Sequence, residues 1–63
     1  MKYIIYQCDN ETYMSEYFNV NHSYWSDYRI CALKINSLLS VRYMIKLFQK
    51  EYAYATFLIR VVK

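Results

Sequence analysis

The sequence predicts an α+β fold, in which a small antiparallel sheet of three to four strands carries one amphipathic helix on one face. Two observations predict it. Short segments rich in β-branched and aromatic residues lie on both sides of one segment with helical periodicity. The chain has 63 residues, enough for a single domain, 1–63, around one small core. We therefore expect the element order ββ(β)αβ.

The predicted strands before the helix are separated by polar breaks. KYIIYQC predicts a strand over 2–8, the polar residues 9–12 predict a hairpin turn, and YMSEYFNV predicts a second strand over 13–20. A second break is expected at 21–23, and RICALKI predicts a shorter third strand over 29–35. Because the chain contains no glycine and no proline, Asn, Asp and Ser are expected to form its turns.

The segment after the predicted strands has the clearest periodicity in the chain. It predicts a helix over 37–51, with Asn36 or Ser37 as the N-cap. Spacings of three and four define an apolar stripe of Val41, Met44, Ile45, Phe48 and Tyr52, and the basic residues Arg42, Lys46 and Lys50 lie on the opposite side. The run ATFLIRVV predicts a closing strand over 55–62.

Aromatic residues exceed what so small a core can enclose. They make up 21% of the chain and include nine tyrosines. One helix covers one face of a sheet, so we expect the surplus on the uncovered face. Strict alternation along 13–20 would place Tyr13 and Tyr17 on one face, and Met14 and Phe18 on the other.

Charge is distributed unevenly along the chain. The net charge is +3, but residues 1–27 are acidic and residues 28–63 are strongly basic. Such asymmetry indicates an anionic partner or head-to-tail self-association. A homodimer, or an obligate partner, would cover the surplus aromatic residues.

The residue types needed for catalysis or metal binding show no recognised pattern. His22 is the only histidine, and Cys8 and Cys31 are the only cysteines. Their spacing matches no zinc motif, and without glycine there is no phosphate-binding loop. We therefore expect no enzymatic activity, no cofactor and no metal. With neither a signal peptide nor a membrane span in the sequence, we expect a cytoplasmic protein with reduced thiols.

The predicted contact residues are aromatic and basic. The stretch YWSDYR is rich in the residue types that dominate protein interfaces, although Trp25 could instead cap the core. A protein or ribonucleoprotein partner is the first interpretation. Nucleic acid is the second, because a basic stripe with surface tyrosines supplies phosphate contacts and stacking platforms. The predicted partner-binding residues are Tyr13, Tyr17, Tyr24, Trp25, Tyr28, Arg29, Arg42, Lys46 and Lys50.

Several short motifs resemble those of small proteins encoded by phages and prophages of low-GC Gram-positive bacteria. They are the opening MKYII, the element Trp25-Ser26-Asp27, the run ALKINS over 32–37, the amphipathic helix and the closing IRVV over 59–62. This group includes inhibitors of host defence systems, among them anti-CRISPR proteins. The resemblance implies a non-enzymatic inhibitor that occupies the surface of a host factor, with a CRISPR-associated nuclease as the expected target. The basic helix departs from the acidic, DNA-mimicking surface of many nuclease inhibitors.

Overall fold

The structure, a computed structural model, describes residues 1–62 and confirms the α+β prediction. Strands β1 (Lys2–Gln7), β2 (Thr12–Asn19) and β3 (His22–Ser26) precede the helix α1 (Leu38–Glu51), and β4 (Phe57–Val62) follows it. The strands form one antiparallel sheet in the order β3-β2-β1-β4. The first and last strands, β1 and β4, are therefore neighbours in the sheet.

The third strand does not lie where the sequence predicted it. Residues 29–35 contain a short 3-10 turn at Arg29–Cys31, and only Ile35 makes a bridge, to Tyr3. The third strand is instead His22–Ser26, part of which was predicted as a polar break. The polar residues of HSYWS give this segment no recognisable strand pattern. The strand forms because a short turn folds the segment back onto β2.

The segment after the 3-10 turn is wedged between β1 and β2. The two strands pair directly only at Tyr6 with Tyr13 and at Gln7 with Thr12. Beyond that point, the Leu33 N–H donates to the Met14 carbonyl at 2.8 Å. The chain thus passes through a gap in the sheet, from the open face to the face that carries α1.

Passage through this gap also covers part of the open face. Ile4 alternates with Ile5, and Ile5 packs in the core under α1, so Ile4 points to the opposite face. Residues 27–37 connect β3 to α1, and we call them the crossing segment. Ile4 is nevertheless buried, and it lines a concavity with Arg29 and Ile30 of this segment. The face expected to be uncovered is therefore only partly open.

The helix begins one residue after the predicted start and ends at the predicted residue. Ser37 is the N-cap, and its Oγ accepts a 3.2 Å hydrogen bond from the Ser40 amide. At the other end, the amide of Tyr52 donates to the Phe48 carbonyl at 2.7 Å. Val41 and Phe48 are buried and pack the helix onto the sheet. The core cluster is completed by the sheet residues Ile5, Met14 and Phe57.

The β1–β2 turn contains the backbone feature that the sequence did not predict. Glu11, rather than a neighbouring Asp or Asn, has the positive φ, 54°. Beside it, Asp9 accepts a hydrogen bond from the amide of Thr56. That bond fixes the start of β4, which begins two residues later than the predicted 55.

Candidate partner-binding surface

An exposed aromatic cluster lies on the β2–β3 hairpin. It consists of Phe18, His22 and Tyr24, whose ring centroids lie 5.0 to 6.3 Å apart. The His22 Nε2 and the Tyr24 hydroxyl are 3.2 Å apart, a hydrogen-bonding distance. Phe18 is 63% exposed and Tyr24 52% exposed. Tyr24 alternates with Trp25, which packs toward α1, so the cluster lies on the open face of the sheet. We call it the hairpin aromatic cluster.

The local backbone explains how the hairpin presents these rings. The β2–β3 turn is held by the Asn19 side chain, whose Oδ1 accepts from the Asn21 amide at 2.9 Å. The Ser23 hydroxyl donates to the Asn19 carbonyl at 2.7 Å. The register of β2 against β3 shifts between Tyr17 and Asn19. This bulge brings Phe18 beside the rings of His22 and Tyr24, which share a face of β3.

A second aromatic group occupies the open face nearer the sheet centre. Tyr13 packs on Tyr6 with ring centroids 4.9 Å apart, and the Arg60 guanidinium lies 4.9 Å from the Tyr6 ring centroid. Burial raises the pKa of the Tyr6 phenol, and the carboxylate of Glu11 raises this pKa further. Tyr13 is half-buried by this packing.

Two predicted contact residues are exposed on the crossing segment. Tyr28 is 70% exposed, and its amide donates to the Ser26 hydroxyl at 3.1 Å. Arg29 is also exposed, at the start of the 3-10 turn. Next to it, Ile30 is 90% exposed. Both predicted residues are accessible to a partner.

Tyr17 and Trp25 face the helix instead of the open surface. Their rings contact Phe48 edge-on, with centroids 5.8 and 5.3 Å apart respectively. The predicted alternation along β2 was wrong because the register also shifts between Met14 and Glu16, which turns Tyr17 to the same side as Met14. The rings of Tyr17 and Trp25 are partly buried against the core.

The three basic residues lie on the other side of the molecule. Arg42, Lys46 and Lys50 are exposed along α1, away from the apolar stripe that contacts the sheet. The predicted contact residues therefore do not form one site. Tyr13, Tyr24, Tyr28 and Arg29 belong to the open-face side, and the basic stripe belongs to the helix side.

Several accessible side chains are not among the predicted contact residues. Phe18 and His22 have no distinctive sequence pattern, and only the hairpin brings their rings beside Tyr24. Tyr54, in the loop after α1, is almost fully exposed. Only the polar residues around position 21 signalled a hairpin tip in the sequence.

The remaining chemistry of the described residues is simple. Cys8 is half-buried and Cys31 is exposed, and both are free thiols. Residues 1–62 contain no group of three or more side chains placed to hold a metal ion. Over the same range, no helix has the length and hydrophobicity needed to cross a membrane.

Comparisons with known protein families, with curated proteins and with solved structures gave no match to this chain.

Proposed function

We propose that this chain is a non-enzymatic binding protein that uses its open-face aromatic residues to occupy the surface of a protein partner. The observation that carries the proposal is the hairpin aromatic cluster. Its large rings are exposed and held in a fixed arrangement by the hairpin. Rigid aromatic side chains lose little conformational entropy on binding and are typical interface hot spots.

The partner we propose is a host defence factor, with a CRISPR-associated nuclease as the leading candidate. This identification rests on the resemblance to small phage and prophage proteins, and it places the action in the cytoplasm of the host cell. Tyr13, Tyr28 and Arg29 would extend the contact from the hairpin aromatic cluster toward the crossing segment. An aromatic contact of this kind is stoichiometric, so inhibition should saturate at a fixed ratio of chain to nuclease.

The test is a DNA-cleavage assay with purified CRISPR-associated nucleases and increasing amounts of the chain. Inhibition should be lost in the double variant Phe18→Ala, Tyr24→Ala and retained in Tyr54→Ala, which removes an exposed ring outside the cluster. Circular dichroism checks that both variants fold. Full cleavage by every nuclease at excess chain, or equal inhibition by the two variants, would refute the proposal.

Nucleic-acid binding is the second candidate function. The observation that favours it is the exposed basic stripe, with Tyr43 exposed between Arg42 and Lys46. Binding to phosphates weakens steeply and log-linearly as salt rises, whereas an aromatic protein interface changes little. A gel shift of RNA or DNA by the chain alone at physiological salt, abolished by Lys46→Glu and unaffected by Tyr24→Ala, would favour this second function.

A further inference from the structure

The two edges of the sheet differ in how well they are protected. β3 is one edge, and the register of its partner β2 shifts twice along the pair. β4 is the other edge, and all six of its residues pair with β1 without a shift. Bulges protect an edge from further pairing, whereas a regular edge presents a row of unpaired amides and carbonyls. β4 is therefore the edge that can accept another strand.

The hydrogen bonds of β1 identify which backbone groups of β4 are free. Tyr3 lies opposite Val61, yet its amide and carbonyl both bond to Ile35, at 2.8 Å each. In an antiparallel pair such a position is non-hydrogen-bonded, so the amide and carbonyl of Val61 point away from β1. Because the register is regular, every second residue of β4 has the same orientation, so the amides and carbonyls of Ile59 and Phe57 also point away from β1. These three residues present the outward groups of the edge.

The side chains of β4 do little to block pairing. Within Phe57–Val62 the single charged residue is Arg60, and the others are apolar. Proline would block an incoming strand, and the chain contains none. Val61 and Leu58 are each a little under half exposed. The edge thus combines free backbone groups with accessible apolar side chains.

Positive charge lies on both sides of this edge. Arg60 belongs to the open face, because it alternates with Ile59, which packs against the core. On the other face, Gln49 Nε2 donates to the Ala55 carbonyl at 2.7 Å, so this flank of α1 faces the start of β4. Lys46 and Arg42 lie about one and two turns before Gln49 on the same flank, and both are exposed.

We propose that the β4 edge is a docking site for an extended acidic segment of a partner protein, which adds to the sheet as a further strand. Backbone hydrogen bonds to Phe57, Ile59 and Val61 would hold the segment. Acidic side chains on its two faces would meet Arg60 on one side and Lys46 and Arg42 on the other. This surface is distinct from the hairpin aromatic cluster and goes beyond the function proposed above.

The charge of the edge disfavours a second copy of the chain as the occupant. An antiparallel pair of two β4 strands around a twofold axis would bring both Arg60 side chains close together near its centre. Like charges at neighbouring cross-strand positions are destabilising. An acidic strand replaces this repulsion with attraction.

The probe is a short blocked peptide in which two valines alternate with two glutamates, so that an extended strand carries glutamate on both faces. Its control has lysine in place of glutamate. Both are titrated into the full chain labelled with nitrogen-15. The acidic peptide should shift the amide signals of Phe57, Ile59 and Val61 and slow their hydrogen exchange. It should bind at least about tenfold more tightly than the lysine peptide, because charge complementarity determines which strand is accepted.

Three variants test the backbone and the charge separately. Val61→Pro removes an outward amide without breaking a bond to β1, and Val61→Thr is its control with the amide retained. Binding of the acidic peptide should fall about tenfold in Val61→Pro, roughly the loss of one well-placed hydrogen bond, and stay near the original value in Val61→Thr. Arg60→Glu should weaken the acidic peptide and strengthen the lysine peptide.

Several results would overturn the proposal. They are equal affinity for the two peptides, no binding of either peptide at millimolar concentration, and shifts confined to residues outside β4. Concentration-dependent dimerisation that protects the β4 amides would make the occupant a second copy. Protection of these amides by an oligonucleotide but not by the acidic peptide would make it a nucleic acid. None of these outcomes depends on whether a host nuclease is inhibited.

Discussion

The carboxylate of Asp9 accepts a 2.7 Å hydrogen bond from the backbone amide of Thr56, 47 residues further along the chain. Next to this bond, the Cys8 amide donates to the Thr56 carbonyl at 2.9 Å. Together the two bonds fasten the start of β4 to the β1–β2 turn. A charged acceptor makes the first of them the stronger type of hydrogen bond.

Removal of this carboxylate should destabilise the protein. We expect Asp9→Ala to lower the free energy of unfolding by about 1–2 kcal/mol, because the Thr56 amide loses a charged acceptor. Asp27→Ala is the matched control, since Asp27 is an exposed turn residue. Urea denaturation of the two variants measures the difference, and an equal loss in both would contradict the assigned role of Asp9.

The left-handed backbone at Glu11 should be relieved by a residue that tolerates it. Asn adopts positive φ more readily than Glu, so Glu11→Asn should raise the free energy of unfolding by about 0.5–1 kcal/mol. Glu11→Gln removes the same charge without the conformational preference and should not give this gain. If the two variants show the same thermal midpoint, the charge of Glu11, and not its backbone conformation, limits the stability of the protein at this turn.

Thr12 carries a buried hydroxyl that has no hydrogen-bond partner among residues 1–62. Thr12→Val replaces it with a methyl group of similar size, and we expect a gain of about 1 kcal/mol from removing an unsatisfied polar group. Thr12→Ser keeps the hydroxyl and loses the methyl group, so it should destabilise the fold. Thermal unfolding followed by circular dichroism ranks the three proteins, and a destabilised Thr12→Val variant would show that the hydroxyl is satisfied in solution.

Adjacent aromatic residues of β3 should differ sharply in their effect on stability. Trp25→Ala should cost about 3–5 kcal/mol, comparable to the whole stability of a domain of this size, because its ring packs on Phe48 and Phe57. Tyr24→Ala should cost less than about 1 kcal/mol, since it removes one exposed hydrogen bond. Circular dichroism at room temperature should show the first variant unfolded and the second folded. The reverse result would invert the faces assigned to β3.

The raised pKa of Tyr6 predicts a loss of stability in alkaline solution. Between its unfolded and folded pKa values, the folded chain binds the phenolic proton more tightly, so stability falls as pH rises above about 10, the ordinary tyrosine value. Tyr6→Phe should weaken this alkaline loss, and Tyr54→Phe, at an exposed position, should leave it unchanged. Urea denaturation across the alkaline range measures both.

Local sequence signals predicted most of the helix and of strands β1, β2 and β4. Ser37 and the spacing from Val41 to Phe48 located α1 to within one residue, because a cap and a helical period depend on neighbouring residues alone. Residues 22–26 gave no such signal. Their strand exists only because β2 lies beside them, and side-chain alternation along β2 changes face at a bulge that no local preference announces.

The sequence by itself determined the fold class, the helix, the aromatic surplus and the charge of each half, since these depend on composition and short-range periodicity. Tertiary structure decided which aromatic rings are accessible. It packed the partly buried rings of Trp25 and Tyr17 against Phe48 and exposed Phe18 and Tyr24, through bulges and cross-strand pairing. It also made β4 a regular edge, with Gln49 of α1 bonded to the residue two positions before the strand. Such long-range contacts depend on how distant segments meet, which residue spacing alone does not encode.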